Sequence, residues 1–272
     1  MTEDKHLLEL AIYTAVNAGS KILDVYNQSV LETEYKPDSS PLTEADKASH
    51  DIITRFLSGS QIPVLSEEGE RVAYNERLAW KQFWLIDPLD GTKEFIKRNG
   101  EFTVNIALIR TGKPVIGVVF VPVSGYLYFA SDEIGSYRIQ SAESDRIEPP
   151  KLDHLILQAE KLPFTKTRNY TVVASRSHRN EDTDRFIKQL EKKYKNLSVV
   201  SRGSALKICI VAEGNADIYP RFGPTMEWDT AAGHCVAVNA GCTVIQNETG
   251  GTVTYNKENL LNPWFIVSRK KE

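Results

Sequence analysis

The sequence predicts an α/β (α+β) protein in which helices and sheets are layered on one another. Three patterns indicate this class: apolar residues at helical spacing near the N-terminus, short strands separated by glycine-containing turns in the middle, and alternating strands and helices in the second half. A polar, proline-containing segment, residues 140–167, separates the last two patterns. We therefore predict a domain boundary near Pro150, between domains 1–150 and 151–272.

Two amphipathic helices are predicted near the N-terminus. Apolar residues recur every three or four positions over residues 6–26 and again after Thr43, where Asp46 can complete a capping box. Between them, residues 36–42 (KPDSSPL) are typical of a surface loop or of a lid beside a site. The short strand predicted at residues 62–66 ends directly at Glu67. Helix capping alone would explain Asp46, and a solvated loop alone would explain Glu67.

The central strand is an apolar run that leads directly into Asp87 and Asp90. Pro88 has no N–H group, so we expect the hydrogen-bonded ladder to stop there. Gly91 permits a tight turn, and Thr92 stands where a helix can begin. Paired acids bind hard cations and helix N-termini bind anions, so this turn predicts a site for a metal-bound phosphate. The alternative is that Asp87 and Asp90 are ordinary turn residues. An aspartyl-phosphate phosphatase is disfavoured, because in that class the second Asp follows the nucleophilic Asp by two residues, whereas Asp90 follows Asp87 by three.

The middle of the chain is predicted to be an antiparallel meander, and the second half to alternate strand and helix. The predicted meander strands are residues 103–110, 115–121, 126–130 and 136–139. The later predicted strands are residues 170–174, 197–200, 216–219, 243–245, a short one at Val253, and 265–267. The later predicted helices are residues 183–194, residues 204–213 and a helix of small residues that reaches Ala240.

Composition excludes several classes of protein. The net charge of −3 gives no basic footprint for a nucleic-acid polymer. No apolar stretch approaches the roughly 20 residues of a transmembrane helix, and the N-terminus is unlike a signal peptide because acids and a His precede its first amphipathic run. Cys209, Cys235 and Cys242 are odd in number and unpatterned, so we interpret them as reduced core thiols. We therefore predict a cytoplasmic protein.

Carboxylates end four of the predicted elements, at Asp46, Glu67, the pair Asp87 and Asp90, and Asp229. Mg²⁺ prefers oxygen ligands, and two-metal sites stabilise both the attacking and the leaving oxygen of a phosphoryl transfer. No cluster of His and Cys competes for a softer metal. The acid set fits a two-metal phosphatase site.

Three segments resemble the signatures of the inositol monophosphatase superfamily of Mg²⁺-dependent, lithium-sensitive phosphatases. They are residues 84–92 (WLIDPLDGT), residues 66–69 (SEEG) and residues 227–233 (EWDTAAG), in the order and spacing of that family. The resemblance implies a layered α-β-α-β-α sandwich with its site between the two predicted domains.

Within the superfamily the chain is most similar to the bacterial 3′(2′),5′-bisphosphate nucleotidases. The similar segments are residues 36–46, 89–109 and 219–233, and Lys93 stands where inositol phosphatases usually carry a second Thr or Ser. This similarity implies hydrolysis of adenosine 3′,5′-bisphosphate to AMP and phosphate, a step in sulfur metabolism. The implied partner is therefore a small nucleotide bisphosphate, bound by a monomer or a homodimer.

The resemblance also implies roles for individual residues. Two Mg²⁺ ions, and up to three, would be held by Glu67, Asp87, the Leu89 carbonyl, Asp90 and Asp229. Asp46 and Thr92 would orient and deprotonate the attacking water. The implied substrate-binding residues are Glu67, Leu89, Asp90, Gly91, Thr92, Ser175, His178, Gly203, Ser204, Lys207 and Asp229.

Some alternatives stay open at this point. His178 alone would be a surface residue, Lys207 alone a helix-surface residue, and Arg221 either a ligand for a second phosphate or a solvated loop residue. For the whole chain, an inositol- or sugar-phosphate phosphatase on the same scaffold is the enzymatic alternative. A non-catalytic nucleotide-binding regulator is the other, although such a protein has no need of a water-activating Asp–Thr pair.

Overall fold

The computed structural model describes residues 3–28, 33–35, 41–140, 149–164, 169–177 and 179–270. Within these residues the helices are α1 (Glu3–Tyr26), α2 (Glu44–Leu57), α3 (Tyr74–Arg77), α4 (Thr92–Ile96), α5 (Leu152–Gln158), α6 (Glu181–Lys193), α7 (Leu206–Ala212) and α8 (Glu227–Asn239). The strands of the first half are β1 (Thr33–Tyr35), β2 (Pro41–Thr43), β3 (Val64–Ser66), β4 (Gln82–Asp90), β5 (Thr103–Arg110), β6 (Lys113–Val121), β7 (Tyr126–Ser131) and β8 (Gly135–Ile139). The remaining strands are β9 (Glu160–Lys161), β10 (Thr171–Ser175), β11 (Ser198–Arg202), β12 (Ile218–Arg221), β13 (Cys242–Gln246) and β14 (Phe265–Arg269).

Two sheets form the frame of the molecule. The first has the order β3-β4-β5-β6-β7-β8-β9, with β3 parallel to β4 and the other neighbours antiparallel. The second has the order β11-β10-β12-β14-β13, with β11, β10 and β12 parallel to one another and β14 antiparallel to both of its neighbours. A two-stranded hairpin, β1 with β2, precedes α2. The predicted meander is confirmed in β5 to β8.

The layers follow from which helices pack on which sheet face. Helices α1 and α2 cover one face of the first sheet, and α8 packs on its other face. Helix α7 packs beside α8 and against the second sheet, and α6 lies beyond that sheet. The order of layers is therefore α-β-α-β-α, which confirms the predicted sandwich.

The middle strands are buried on both faces, and their side chains alternate between two cores. In β4, Phe83 and Leu85 pack with α7 and α8, whereas Trp84 and Ile86 pack with α1 and α2. Alternation with a period of two is what a strand between two helical layers requires. Such a strand reads as one continuous apolar run, which is why the sequence located it.

Two expectations about strands need correction. Strand β4 does not stop at Pro88 but runs on to Asp90. A register shift absorbs the proline, because β4 advances three residues between Asp87 and Asp90 while its partner β5 advances only two, from Asn105 to Thr103. The strand expected at Val253 is only an isolated bridge, between Ile245 and Thr252.

Several other expectations can be compared with the structure. The three cysteines are free and buried, as predicted. Among the described residues, no helix is both long and apolar enough to cross a membrane. Strand β9, which lies beyond Pro150, pairs with β8 in the first sheet. The division into domains 1–150 and 151–272 stays a prediction, and residues 36–40 of the predicted loop lie outside the described residues.

Candidate active site

The bulge at the end of β4 brings two acids to one side of the sheet. In a regular strand, residues three apart face opposite sides, but the extra residue between Asp87 and Asp90 cancels that offset. Both carboxylates line the same cavity. Ser49 of α2 donates a hydrogen bond to the Pro88 carbonyl at 2.7 Å and thereby fixes the bulge from the outer layer. The proline thus shapes the site by producing the bulge, not by ending the strand.

The turn after the bulge requires a glycine. Gly91 has φ of 95° and is the N-cap of α4, which begins at Thr92. A side chain at such φ is strained, so the backbone conformation itself selects glycine. The predicted strand-to-helix turn is therefore present, with Asp90 before it and Thr92 after it.

A cluster of three carboxylates lies at this edge. One oxygen each from Glu67, Asp87 and Asp229 lies within 4.8 Å of the other two. Glu67 follows β3, whose parallel pairing with β4 brings both strand ends to the same edge, and its N–H donates to the Ile86 carbonyl at 3.2 Å. Asp229 comes from the first turn of α8 and accepts a hydrogen bond from the Met226 N–H at 2.9 Å.

Like charges and burial perturb the cluster strongly. Burial, followed by the charges of Glu67, Asp90 and Asp229, raises the pKa of Asp87 well above its usual value. Burial and the charges of Asp90 and Glu67 raise the pKa of Asp229 in the same way. Burial raises the pKa of Asp90 to about 6, although Lys207 and a 3.3 Å hydrogen bond from Asn105 oppose the increase. The cluster therefore carries more negative charge than its surroundings compensate.

A hard divalent cation fits this cluster. Asp87 is 1% exposed; its Oδ1 accepts a hydrogen bond from the Leu89 N–H at 3.1 Å, whereas its buried Oδ2 accepts none from the described residues. The carboxyl of Glu67 faces it and is no donor when ionised. A buried carboxylate oxygen without a donor, beside two further carboxylates, is what an oxygen-ligated cation such as Mg²⁺ would satisfy.

Asp46 does not line the cavity but is hydrogen-bonded to Thr92, which does. Its Oδ1 accepts from the Thr92 hydroxyl at 3.2 Å, and its Oδ2 accepts from the N–H and hydroxyl of Thr43 at 2.7 and 2.6 Å. The Thr43–Asp46 contacts form the predicted capping box of α2. Asp46 therefore both caps α2 and supports the site, because its Oδ2 accepts the capping bonds and its Oδ1 accepts from Thr92.

A single cavity of about 260 Å³ joins most of the predicted residues. The predicted residues that line it are Glu67, Asp87, Leu89, Asp90, Gly91, Thr92, Ser175, Gly203, Ser204, Lys207 and Asp229. Asp46 is not part of the lining but is bonded to Thr92. His178 lies outside the described residues.

Two buried cations, Lys207 and Arg221, also line the cavity. Lys207 is 8% exposed, so it is not on a helix surface, and its Nζ donates to the Ser204 carbonyl. Burial lowers the pKa of Lys207 to about 8, and the charge of Arg221 adds to the decrease while Asp90 opposes it. Arg221 lies in β12 and is 7% exposed, which contradicts a solvated loop position. Its Nη2 donates to the Pro224 carbonyl at 2.6 Å, and its Nε has no acceptor among the described residues.

Sequence reasoning missed Glu94, which lines the cavity and is 4% exposed. Its Oε1 accepts a hydrogen bond from the Ser177 hydroxyl, which belongs to the segment after β10. Helix α4 has only five residues, too few for an apolar period to indicate which of its side chains face inward. Tyr219 and Phe265 add an apolar wall that the sequence did not predict for the site.

The layered fold and its acidic cluster are those of a metal-dependent phosphatase. The sequence profile of the inositol monophosphatase family matches residues 3–270, and the chain belongs to that family. Curated relatives include the 3′(2′),5′-bisphosphate nucleotidase CysQ of Salmonella typhimurium, 44% identical over 96% of this chain and 99% of the relative. The CysQ of Escherichia coli K12 is 42% identical over the same shares of each chain.

Solved structures agree with this assignment. The crystal structure of CysQ from Bacteroides thetaiotaomicron superposes with a TM-score of 0.91, is 48% identical, and covers 98% of both chains. Inositol monophosphatase-II of Staphylococcus aureus superposes with a TM-score of 0.70 at 22% identity, over 97% of this chain and 91% of that one, and supports the fold alone.

Proposed function

We propose that the protein is a Mg²⁺-dependent 3′(2′),5′-bisphosphate nucleotidase that hydrolyses adenosine 3′,5′-bisphosphate to AMP and phosphate. The observation that carries the proposal is one cavity lined by an acidic cluster, by Thr92 with its partner Asp46 behind it, and by the buried cations Lys207 and Arg221. A substrate with two phosphate groups can use both the acidic cluster and the buried cations, whereas a monophosphate needs only the cluster. The identity to nucleotidases named CysQ supports the same substrate.

The cation ligands in this proposal are the side chains of Glu67, Asp87, Asp90 and Asp229 and the carbonyl of Leu89, for two Mg²⁺ ions and up to three. Divalent cations bound there would lower the pKa of a coordinated water and offset the charge of the scissile phosphate. Burial and the neighbouring carboxylates raise the pKa values of Asp87 and Asp229, and bound cations would favour the ionised forms of both groups. The backbone at Gly91 and Thr92 is proposed to cradle that phosphate.

Asp46 and Thr92 are the proposed catalytic residues. Thr92 lines the cavity and its hydroxyl donates to Asp46, so its oxygen can accept a proton from an attacking water while the hydroxyl proton passes to the Asp46 carboxylate. The water oxygen bonds to phosphorus, the bond from phosphorus to the ribose 3′ oxygen breaks, and that oxygen takes up a proton. The displacement is direct, so no phosphorylated enzyme forms.

The nucleoside and the second phosphate are proposed to bind along Ser175, Gly203, Ser204 and Lys207. Ser175 ends β10, Gly203 and Ser204 precede α7, and Lys207 lies in the first turn of α7; all four line the same cavity as Thr92. Lys207 and Arg221 supply positive charge for the phosphate that is not cleaved. His178 is proposed as a further contact from sequence resemblance alone.

The test is phosphate release with Mg²⁺ from adenosine 3′,5′-bisphosphate, compared with inositol 1-phosphate and fructose 1,6-bisphosphate. The proposal expects kcat/KM for the nucleotide to be larger by orders of magnitude. Comparable or faster turnover of the inositol or sugar phosphate would keep the metal-assisted mechanism and refute the substrate. Binding of the nucleotide without release of phosphate would favour a regulator instead.

Three broader proposals accompany the function. We propose the cytoplasm as its compartment, a monomer or homodimer as its assembly, and a division near Pro150 as its domain boundary. The absence of a membrane-spanning helix among the described residues is compatible with the first. Sedimentation with and without substrate would test the second, and limited proteolysis near residue 150 would test the third.

A further inference from the structure

Glu101 connects two parts of the cavity wall that are far apart in sequence. It lies in the loop between α4 and β5, close after the Gly91–Thr92 turn. Its Oε2 accepts a hydrogen bond from the Gly203 N–H at 2.7 Å and from Arg176 Nε at 2.8 Å, and its Oε1 accepts from Arg176 Nη2 at 2.8 Å. The side chain is 17% exposed, so these charge-assisted bonds are partly shielded from water.

Arg176 links Glu101 to the second sheet. Its Nη2 also donates to the Ser201 carbonyl at 3.1 Å, and its N–H donates to the Arg202 carbonyl at 3.1 Å. These contacts join the ends of β10 and β11 to each other and to Glu101. Although burial raises the pKa of Glu101, the bonds from Arg176 and Gly203 and the charges of Arg176 and Arg202 together lower it below its usual value.

The backbones of the two parts are in direct contact at Gly203. A Cβ atom there would lie 2.8 Å from the Glu101 carbonyl oxygen and 2.8 Å from Cγ of Glu94, closer than real contacts allow. Glu94 adds a second connection through its hydrogen bond from Ser177. Two carboxylates from the α4 region therefore hold the segments that follow β10 and β11.

We infer that Glu101, assisted by Glu94, is a positioning residue that sets the separation between the reacting-phosphate side of the cavity and the nucleoside side. The reacting phosphate would lie at Gly91 and Thr92, whereas the rest of the nucleotide would lie at Ser175 and Gly203–Ser204. A ligand that spans both sides depends on their separation, and a small phosphomonoester does not. The inference rests on the proposed function for its substrate, but the connection itself can be tested without any substrate.

The experiment compares Glu101→Ala and the milder Glu101→Gln with the wild type and with a matched control, Asp4→Asn. Asp4 also makes a two-bond ion pair with an arginine, Arg110, at 2.7 and 2.9 Å and with similar exposure, but it does not line the cavity. Steady-state kinetics are measured for adenosine 3′,5′-bisphosphate and for p-nitrophenyl phosphate. Hydrogen exchange of peptides covering residues 91–96 and 203–208 is measured in the unliganded proteins.

Glu101→Ala should raise KM for the nucleotide by about tenfold and change kcat much less. The lost hydrogen bonds hold the segment at Gly203 that binds the nucleotide, and Glu101 itself does not contact the substrate. Glu101→Gln should show a smaller increase, since an amide oxygen can still accept from the Gly203 N–H. Neither variant should change KM for p-nitrophenyl phosphate by more than the control does. Amide exchange should accelerate in residues 203–208 in both variants and not in Asp4→Asn.

Equal KM changes for both substrates, or unchanged amide exchange at residues 203–208, would overturn the positioning role. A wild-type enzyme that shows no preference for the nucleotide over inositol 1-phosphate would refute the proposed function separately. In that case accelerated exchange at residues 203–208 would still support the connection, and unaccelerated exchange would refute it.

Discussion

The substitution Asp87→Asn should inactivate the enzyme and at the same time stabilise its metal-free form. Asp87 is 1% exposed and lies among Glu67, Asp90 and Asp229, whose charges raise its pKa. An asparagine keeps the oxygen that accepts from the Leu89 N–H. Its amide nitrogen takes the place of Oδ2, which accepts no hydrogen bond from the described residues, and can donate to the Glu67 carboxylate.

The size of the gain follows from the charge that is removed. Two ionised carboxylates whose oxygens lie within 4.8 Å of each other repel by at least about 3.5 kcal/mol at an effective dielectric constant of about 20. Protonation relieves part of this repulsion in the wild type, because the raised pKa values of Asp87 and Asp229 favour their neutral forms. We therefore expect the free energy of unfolding to rise by about 1–3 kcal/mol. For a chain of this size, each kcal/mol raises Tm by about 2–4 °C.

The assay is thermal unfolding in EDTA and again with Mg²⁺, together with phosphate release. In EDTA the Tm of Asp87→Asn should exceed that of the wild type, whereas Mg²⁺ should raise only the wild-type Tm substantially. Phosphate release should fall by a factor of about 10² or more. Asp217→Asn is the control, because Asp217 accepts from the Thr171 N–H at 2.6 Å but does not line the cavity. A variant that is less stable than the wild type in EDTA and still stabilised by Mg²⁺ would refute the reasoning.

Three further predictions address the same cavity. Thr92→Ala should lower kcat by a factor of about 10², while the Mg²⁺-induced increase in Tm should be kept. Thr92→Ser should retain most of the activity. An unchanged kcat in Thr92→Ala would contradict the proposed role of Thr92. The Mg²⁺-induced increase in Tm should be larger at pH 7.5 than at pH 5, because the pKa of Asp90 is about 6 in the folded protein. Because the pKa of Asp90 is higher in the folded than in the unfolded chain, protonation of Asp90 stabilises the metal-free fold at low pH, and this stabilisation is lost as the pH rises from about 4 through 6. An equal Mg²⁺-induced increase in Tm at both pH values would contradict the prediction. Gly203→Ala should lower the free energy of unfolding by about 1–3 kcal/mol. Gly223→Ala is the control and should not lower it, because no atom lies within 4 Å of the added Cβ. Equal Tm values for the two variants would contradict the close contact at Gly203.

The features that could be predicted from the sequence are those with a local cause. The continuous apolar run before Asp87 located a strand buried on both faces, because both of its faces pack on helices. Thr43 and Asp46 predicted a helix start, and the capping box is present. The expectation that β4 ends at Pro88 was wrong because it assumed that a residue without an N–H group must end the strand. A bulge absorbs it instead, and only the pairing with β5 reveals the bulge.

The features that could not be predicted depend on contacts between distant segments. Lys207 was compatible with a helix surface because nothing in its own segment indicates that it is buried with its Nζ bonded to Ser204. Glu101 is an ordinary acidic loop residue in the sequence, and its partners lie 75 and 102 positions further along the chain. A local pattern carries no information about such pairs, so the connection across the cavity becomes visible only in the folded molecule.

The N-termini of α2 and α8 orient their site carboxylates in the same way. Both α2 and α8 carry an aspartate at the third helical position, Asp46 and Asp229, whose Oδ2 accepts the backbone N–H of the N-cap residue. That bond, which belongs to a capping box, stabilises the helix by about 1 kcal/mol, and it also fixes the direction of the carboxyl group. In Asp46 the other oxygen is thereby aimed at Thr92, and in Asp229 a carboxylate oxygen is aimed at the cluster with Asp87. The same hydrogen bonds that begin these helices therefore orient the acids of the site, so an Asp46→Ala change would lose helix stability and catalysis together.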